Sequence, residues 1–263
     1  MMAETALRSD TGAAPDWRMT GRPRLAPGRR VYAVGDVHGR ADLLGVLIAR
    51  IMADLARFPV ERPELVLLGD YISRGPGSAA VLDFAIDGVA RLPLATVCLK
   101  GNHEDLLLRF MDGADLWAGS VWLRFGGKAV LAAYGVKPPQ ETPDDRQLPA
   151  LADALRAAMP QRHLDFLRGL AVSLERDDYL FVHGGLRPGV PVAEQTPHDM
   201  MWIRDEFLTH AGLFERFVVH GHTPADLPQI HRNRINVDTR AYESGVLTAA
   251  VLEGGECRFL ASL

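Results

Sequence analysis

VYAVGDVHGR (residues 31–40) is a short apolar run that ends in Gly-Asp and places a histidine two residues further on. A helix-like stretch, Asp42–Phe58, follows it. The theme recurs twice. Leu65–Gly69 runs into Asp70 and precedes the helix-like Ser78–Arg91, and Leu94–Leu99 runs into Gly101-Asn102-His103 before Glu104–Asp112. Strand alternating with helix predicts an α/β domain. In sheets of that kind ligands bind beyond the carboxyl ends of the strands, which is where these polar motifs stand.

Further along, Leu116–Leu170 reads as mostly helical with a break at Gly135–Pro143. The last third changes character. Tyr179–His183, Phe217–His220, Arg234–Val237, Val246–Leu252 and Cys257–Leu260 are short and strand-like, with one clear helix, Asp199–His210, among them. A second sheet packed on the first follows from that pattern. Toward the N-terminus, residues 1–28 are rich in Arg, Pro and Gly without a hydrophobic period, and Arg8, Arg18, Arg22 and Arg24 lie there with Arg29 and Arg30 just beyond. They read as a disordered basic tail, with 29–263 as a single domain.

Composition removes several classes of function. The chain has 263 residues and a formal net charge of −4, with a pI near 6.1. An acidic balance argues against a general nucleic-acid-binding surface. No apolar run reaches the roughly 18 residues of a membrane span, and no apolar segment precedes a cleavage-like site. Cys98 and Cys257 make neither a zinc spacing nor a disulfide framework. Neither is followed by an arginine at the spacing of a cysteine-based phosphatase loop. A cytoplasmic location is therefore expected.

The chemistry is concentrated in five short motifs. Asp36 and His38 in Gly35–Gly39 can point at one cation from a strand end. Asp70 in Gly69–Gly75 can bridge two cations, because a carboxylate has two oxygens and paired metals sit about 3.5–4 Å apart. Arg74 offers a planar fork for phosphate oxygens. Asn102 is a hard neutral ligand, and the adjacent His103 could serve as an acid. His183 in His183-Gly184-Gly185 and His222 in Gly221-His222-Thr223 add imidazoles suited to zinc, iron or manganese. His163, His198, His210 and His231 fit no motif, and His220, a residue of the strand-like run beside Gly221, is a less suitable ligand than His222.

Taken in order, GDVHG, GDYISRG, GNHE, HGG and GHT resemble the PPP family of metallophosphatases within the calcineurin-like metallophosphoesterases. FVHGGLRP (181–188), VHGHTP (219–224) and RINVDTRAYESGVLT (234–248) are most similar to bacterial serine/threonine protein phosphatases. The resemblance implies an α/β fold of two mixed β-sheets packed as a sandwich flanked by helices. It implies two divalent metal ions, manganese first, with iron or zinc as alternatives. Asp36, His38 and Asp70 would hold one ion; Asp70, Asn102, His183 and His222 the other. His103 would be the general acid, and Arg74 and Arg204 would bind phosphate. The reaction implied is direct in-line attack on phosphorus in a phosphoprotein or small phosphoester, with no nucleic-acid or membrane partner.

One position departs from the family pattern. Where protein phosphatases carry an Asp before the arginine, this chain has Ser73, and SRGPGS (73–78) resembles the ARGPGS of symmetrical diadenosine tetraphosphate hydrolases. A dinucleoside polyphosphate hydrolase is the alternative reading within the enzyme class. A non-catalytic phospho-ligand binding module is the alternative outside it.

Overall fold

The apolar run at residues 31–34 becomes β1 (Arg29–Val34), the centre of a five-stranded sheet in the computed structural model, which describes residues 22–113, 115–141 and 143–263. β1 pairs in parallel with β2 (Arg62–Leu67), and β2 in parallel with β3 (Ala95–Cys98). Two C-terminal strands complete this sheet. β9 (Thr248–Glu253) lies antiparallel to β1, and β10 (Glu256–Ala261) antiparallel to β9. The second sheet has the order β4-β5-β6-β8-β7, formed by Ser173–Arg176, Tyr179–Val182, Phe217–His220, Arg234–Asn236 and Gln229–Ile230. Its centre is parallel and its edges are antiparallel, so both sheets are mixed, as the fold expectation required.

Alternation along β1 divides the core. Val31 and Ala33 face the second sheet and pack with Val66, Phe181, Val219 and Ile235. Tyr32 and Val34 face outward to α1 (Ala41–Arg57), whose Leu43, Leu44, Leu47, Ile48 and Ile51 form one apolar stripe. Each such fully buried aliphatic side chain contributes about 1.5–3 kcal/mol. Strands covered on both faces read as nearly unbroken apolar runs, which explains why β1 and β2 were legible.

Several boundaries differ from expectation. The helix expected over Ser78–Arg91 is α2 (Ser78–Asp83) continued by a wide π turn at Phe84–Gly88 and a tight turn at Val89–Arg91. After α3 (Asn102–Gly113), α4 (Leu116–Trp122), α5 (Lys128–Ala133), α6 (Leu148–Ala158) and α7 (Gln161–Gly169) fill the middle of the chain. The helix expected at Asp199–His210 is two pieces, α8 (Pro197–Trp202) and α9 (Asp205–Leu208), because the backbone breaks at Ile203-Arg204. A last short helix, α10 (Ala241–Ser244), precedes β9. β4 and β7 were not foreseen, and β9 and β10 rejoin the first sheet. Strand partnership is non-local and leaves no mark on the periodicity of a single strand.

Of the tail expected over residues 1–28, residues 1–21 lie outside the described part. Residues 22–28 are packed, not free: Leu25 is buried and donates its N–H to Gly254 O at 2.8 Å, and Ala26 N–H donates to Asp177 Oδ2 at 2.9 Å. No helix among the described residues is long and apolar enough to cross a membrane.

Candidate active site

Each motif sits just past a strand or at a helix start. Asp36 follows β1, Asp70 follows β2, Asn102 opens α3 after β3, His183 follows β5 and His222 follows β6. The loops are bent hard to aim these side chains. His38, Asp70, Ser73, Arg74 and His222 are five of the seven described non-glycine residues with positive φ. Left-handed backbone at such residues costs on the order of 1–3 kcal/mol each and persists where surrounding structure enforces it. Gly101 and Gly221 allow the closest approaches: a Cβ at either would overlap Asp70 Oδ1 or Asp36 Oδ1, respectively.

Asp70 stands at the middle of the cluster, with each oxygen serving a different group. Oδ2 lies 3.4 Å from His38 Nε2, and Asp36 Oδ2 is 3.9 Å from that same nitrogen. Oδ1 lies 3.5 Å from His183 Nε2 and accepts the His103 backbone N–H at 3.0 Å. Asn102 Oδ1 is 3.0 Å from His183 Nε2 and 2.9 Å from His222 Nδ1. The six residues expected to hold metal therefore converge as two groups sharing Asp70.

The donor set fits cations. His38 Nδ1 donates to Ile72 O and His183 Nδ1 to Leu68 O, each at 3.0 Å. Burial lowers the pKa of both rings to about 3, so each keeps one proton and spends it on that carbonyl. The His183 Nε2 lone pair then faces the Asn102 amide oxygen at 3.0 Å with no proton between. Acceptor against acceptor at that distance is unfavourable unless a cation lies between them, and the neighbouring Asp70 carboxyl needs either a proton or a cation to face the same ring at 3.5 Å. Donors bonded to one cation at about 2.0–2.2 Å are themselves about 3–3.5 Å apart, which matches. The carboxyls give the same indication. Burial, then the charge of Asp238, pushes Asp36 well above the usual carboxylate range; burial, then Glu104, does so for Asp70. Bound cations would reverse both shifts.

Around this cluster lies a cavity of about 180 Å³. Arg74 and Arg204 both line it, as do His103, Tyr242, Trp202 and Asp238. The Arg74 guanidinium sits 4.3 Å over the Tyr242 ring, a cation–π contact that holds it in place, and its backbone N–H donates to Gly126 O at 3.1 Å. Tyr242 also meets the edge of His38, with centroids 5.3 Å apart.

His103 Nε2 is 3.9 Å from Asp70 Oδ2, while its Nδ1 is buried without a hydrogen-bond partner. Ser73 Oγ is likewise buried and unpartnered. Neither nearby acid supports the ring. Glu104 is fully buried, and its carboxylate accepts the backbone N–H groups of Asp70, Tyr71 and Gly101 at 2.8–2.9 Å. Asp105 Oδ2 accepts from Trp202 Nε1 at 3.2 Å.

Sequence reasoning gave no role to Asp238, Tyr242 or Trp202. Asp238 follows β8 as the other acids follow their strands, but no glycine precedes it to flag it. Tyr242 had no signal beyond lying in the run 234–248. The unassigned histidines join neither group of candidate ligands. His163 bonds Tyr134 Oη and Asp83 Oδ1, and His220 turns its ring to the edge of Phe207.

The calcineurin-like phosphoesterase family profile matches residues 29–247. An asymmetrical bis(5′-nucleosyl)-tetraphosphatase of Halalkalibacterium halodurans is 26% identical over 235 residues, covering 82% of this chain and 87% of that protein. A symmetrical bis(5′-nucleosyl)-tetraphosphatase of Dechloromonas aromatica is 30% identical over 157 residues, covering 60% of this chain and 44% of that protein. Among solved structures, a cold-active protein-tyrosine phosphatase of a psychrophilic Shewanella superposes with a TM-score of 0.60 at 18% identity, covering 91% of this chain and 83% of that one. At that identity the likeness is one of fold.

Proposed function

The chain belongs to the calcineurin-like phosphoesterase family, and from that premise we propose that it hydrolyses dinucleoside tetraphosphates. Asp36, His38 and Asp70 would hold one divalent cation and Asp70, Asn102, His183 and His222 a second. Such ions, manganese among them, would supply Lewis acidity and activate water. Arg74 and Arg204 would fix the phosphoryl oxygens by charge-assisted hydrogen bonds. That all six candidate ligands converge speaks against a binding module without catalysis, which has no use for them.

The observation that carries the substrate choice is the unsupported His103. General-acid help matters most when the leaving oxygen is a poor leaving group. A serine or threonine alkoxide is such a group; the nucleotide released from a phosphoanhydride is not. An acid built for phosphoproteins would be expected to have a carboxylate on its second nitrogen. Among the described residues His103 Nδ1 has no hydrogen-bond partner, Ser73 stands where the family's aspartate would be, and Glu104 and Asp105 are bonded elsewhere. The phosphoprotein reading, foremost from the motifs, is the less well supported one. The names of the two relatives above point the same way, although they differ on which anhydride is cut.

The test is a rate comparison with manganese on diadenosine tetraphosphate, a phosphoserine peptide and a phosphothreonine peptide, the nucleotides being resolved by anion-exchange chromatography. The expected kcat/KM for the dinucleotide exceeds that of either peptide by about 10²-fold, the usual worth of a well-supported general acid. A phosphopeptide hydrolysed faster than the dinucleotide would overturn the assignment. The products, ADP alone or ATP with AMP, identify the bond cut.

A further inference from the structure

Trp202 and Arg204 each line two cavities. One is the active-site cavity. The other, of about 300 Å³, also takes in His198, Asp205, Glu206 and Arg187. In this second cavity His198 and Trp202 stack, with centroids 5.9 Å apart and planes inclined by only 21°. His198 is exposed and fits none of the metal-ligand motifs. Resting on the dinucleoside reading above, we propose that this second cavity is a nucleoside subsite, in which the His198–Trp202 pair stacks with one nucleobase of the substrate.

Four features support it. A stacked pair with an outer face open to solvent is the surface that binds nucleobases without regard to sequence, because every base has a π face. The pair is also held rigid. Trp202 Nε1 donates to Asp105 Oδ2, and the first turn of α8 is fixed by Thr196 Oγ1, which accepts the Asp199 N–H at 3.0 Å, and by the Arg187–Asp199 ion pair at 2.7 Å. Arg204 stands at the junction, exposed at the break between α8 and α9, so a phosphate chain anchored in the first cavity passes it on the way to the second. Finally, Asp205 places an exposed carboxylate at the same cavity, where it can accept from ribose hydroxyls, while Glu206 Oε2 already accepts from Arg187 at 2.9 Å. The volume suits one nucleoside, at the lower end for small-molecule sites.

A His–Trp pair four residues apart on one helix could instead serve only the helix, and the experiment separates the two. Full-length protein loaded with manganese is assayed on diadenosine tetraphosphate and on p-nitrophenyl phosphate, as wild type, His198→Ala and His198→Phe. The quantity read is the ratio of kcat/KM for the dinucleotide to that for the aryl phosphate. His198→Ala should lower this ratio about tenfold, chiefly through KM for the dinucleotide, and His198→Phe should restore it by keeping a stacking face. The position is exposed, so loss of the fold is not expected, and Trp202→Leu gives a second measure of the same ratio. A ratio that is the same in wild type and both alanine and leucine variants, with the dinucleotide still hydrolysed, overturns the subsite and leaves the substrate reading intact. No hydrolysis of the dinucleotide by wild type overturns both.

Discussion

Glu104→Gln tests whether one buried carboxylate clasps the two loops that carry Asp70 and Asn102. Its Oε2 accepts the Asp70 N–H at 2.8 Å and the Gly101 N–H at 2.9 Å, and its Oε1 accepts the Tyr71 N–H at 2.9 Å with Ile72 at a longer 3.4 Å. Glutamine has the same shape but must place an NH₂ at one of the two oxygen positions, where it meets only N–H donors. One or two buried N–H groups then lose their acceptor, at about 1–3 kcal/mol each. The expected destabilisation is about 2–5 kcal/mol, which in a chain of this size lowers Tm by about 5–15 °C. Calorimetry at pH 8 is the assay, since burial pushes Glu104 up to about 7 and the wild-type side chain is ionised above that. Metal content, measured by elemental analysis on the same samples, should fall as well, because the loops lose their shared anchor. A Tm within about 2 °C of wild type, with metal content unchanged, would refute the clasp.

Asp70→Asn keeps the size of the central ligand and removes its charge, so dialysed protein should retain little metal and little activity; full occupancy of both candidate cation positions would sink the bridging role. Arg74→Ala should lower kcat/KM by about 10²-fold or more through loss of one preorganised donor, with metal content kept; wild-type kinetics in that variant would mean that the guanidinium stacked on Tyr242 does not meet the phosphate.

The sequence by itself determined the strand-end motifs and, through them, the fold class. An apolar run that switches to Gly-Asp or Gly-Asn-His is a local event, and a buried strand followed by a tight loop writes it into adjacent residues. The six candidate ligands and Arg74 were legible for that reason; Arg204, at the break between α8 and α9, was carried by the family resemblance alone. Tertiary structure alone decided how they combine. Asp36 and His222 are brought together by the packing of two sheets, with the His222 N–H reaching Asp36 at 3.1 Å, and no local pattern encodes that contact. The return of β9 beside β1 is a choice of partner, made by edge hydrogen bonding and by the core beneath. Glu104 was visible beside His103 as a charge, but the helix start turns its carboxylate onto backbone amides and leaves the His103 ring alone. The direction in which each side chain leaves the first turn of α3 decides this, not adjacency in sequence.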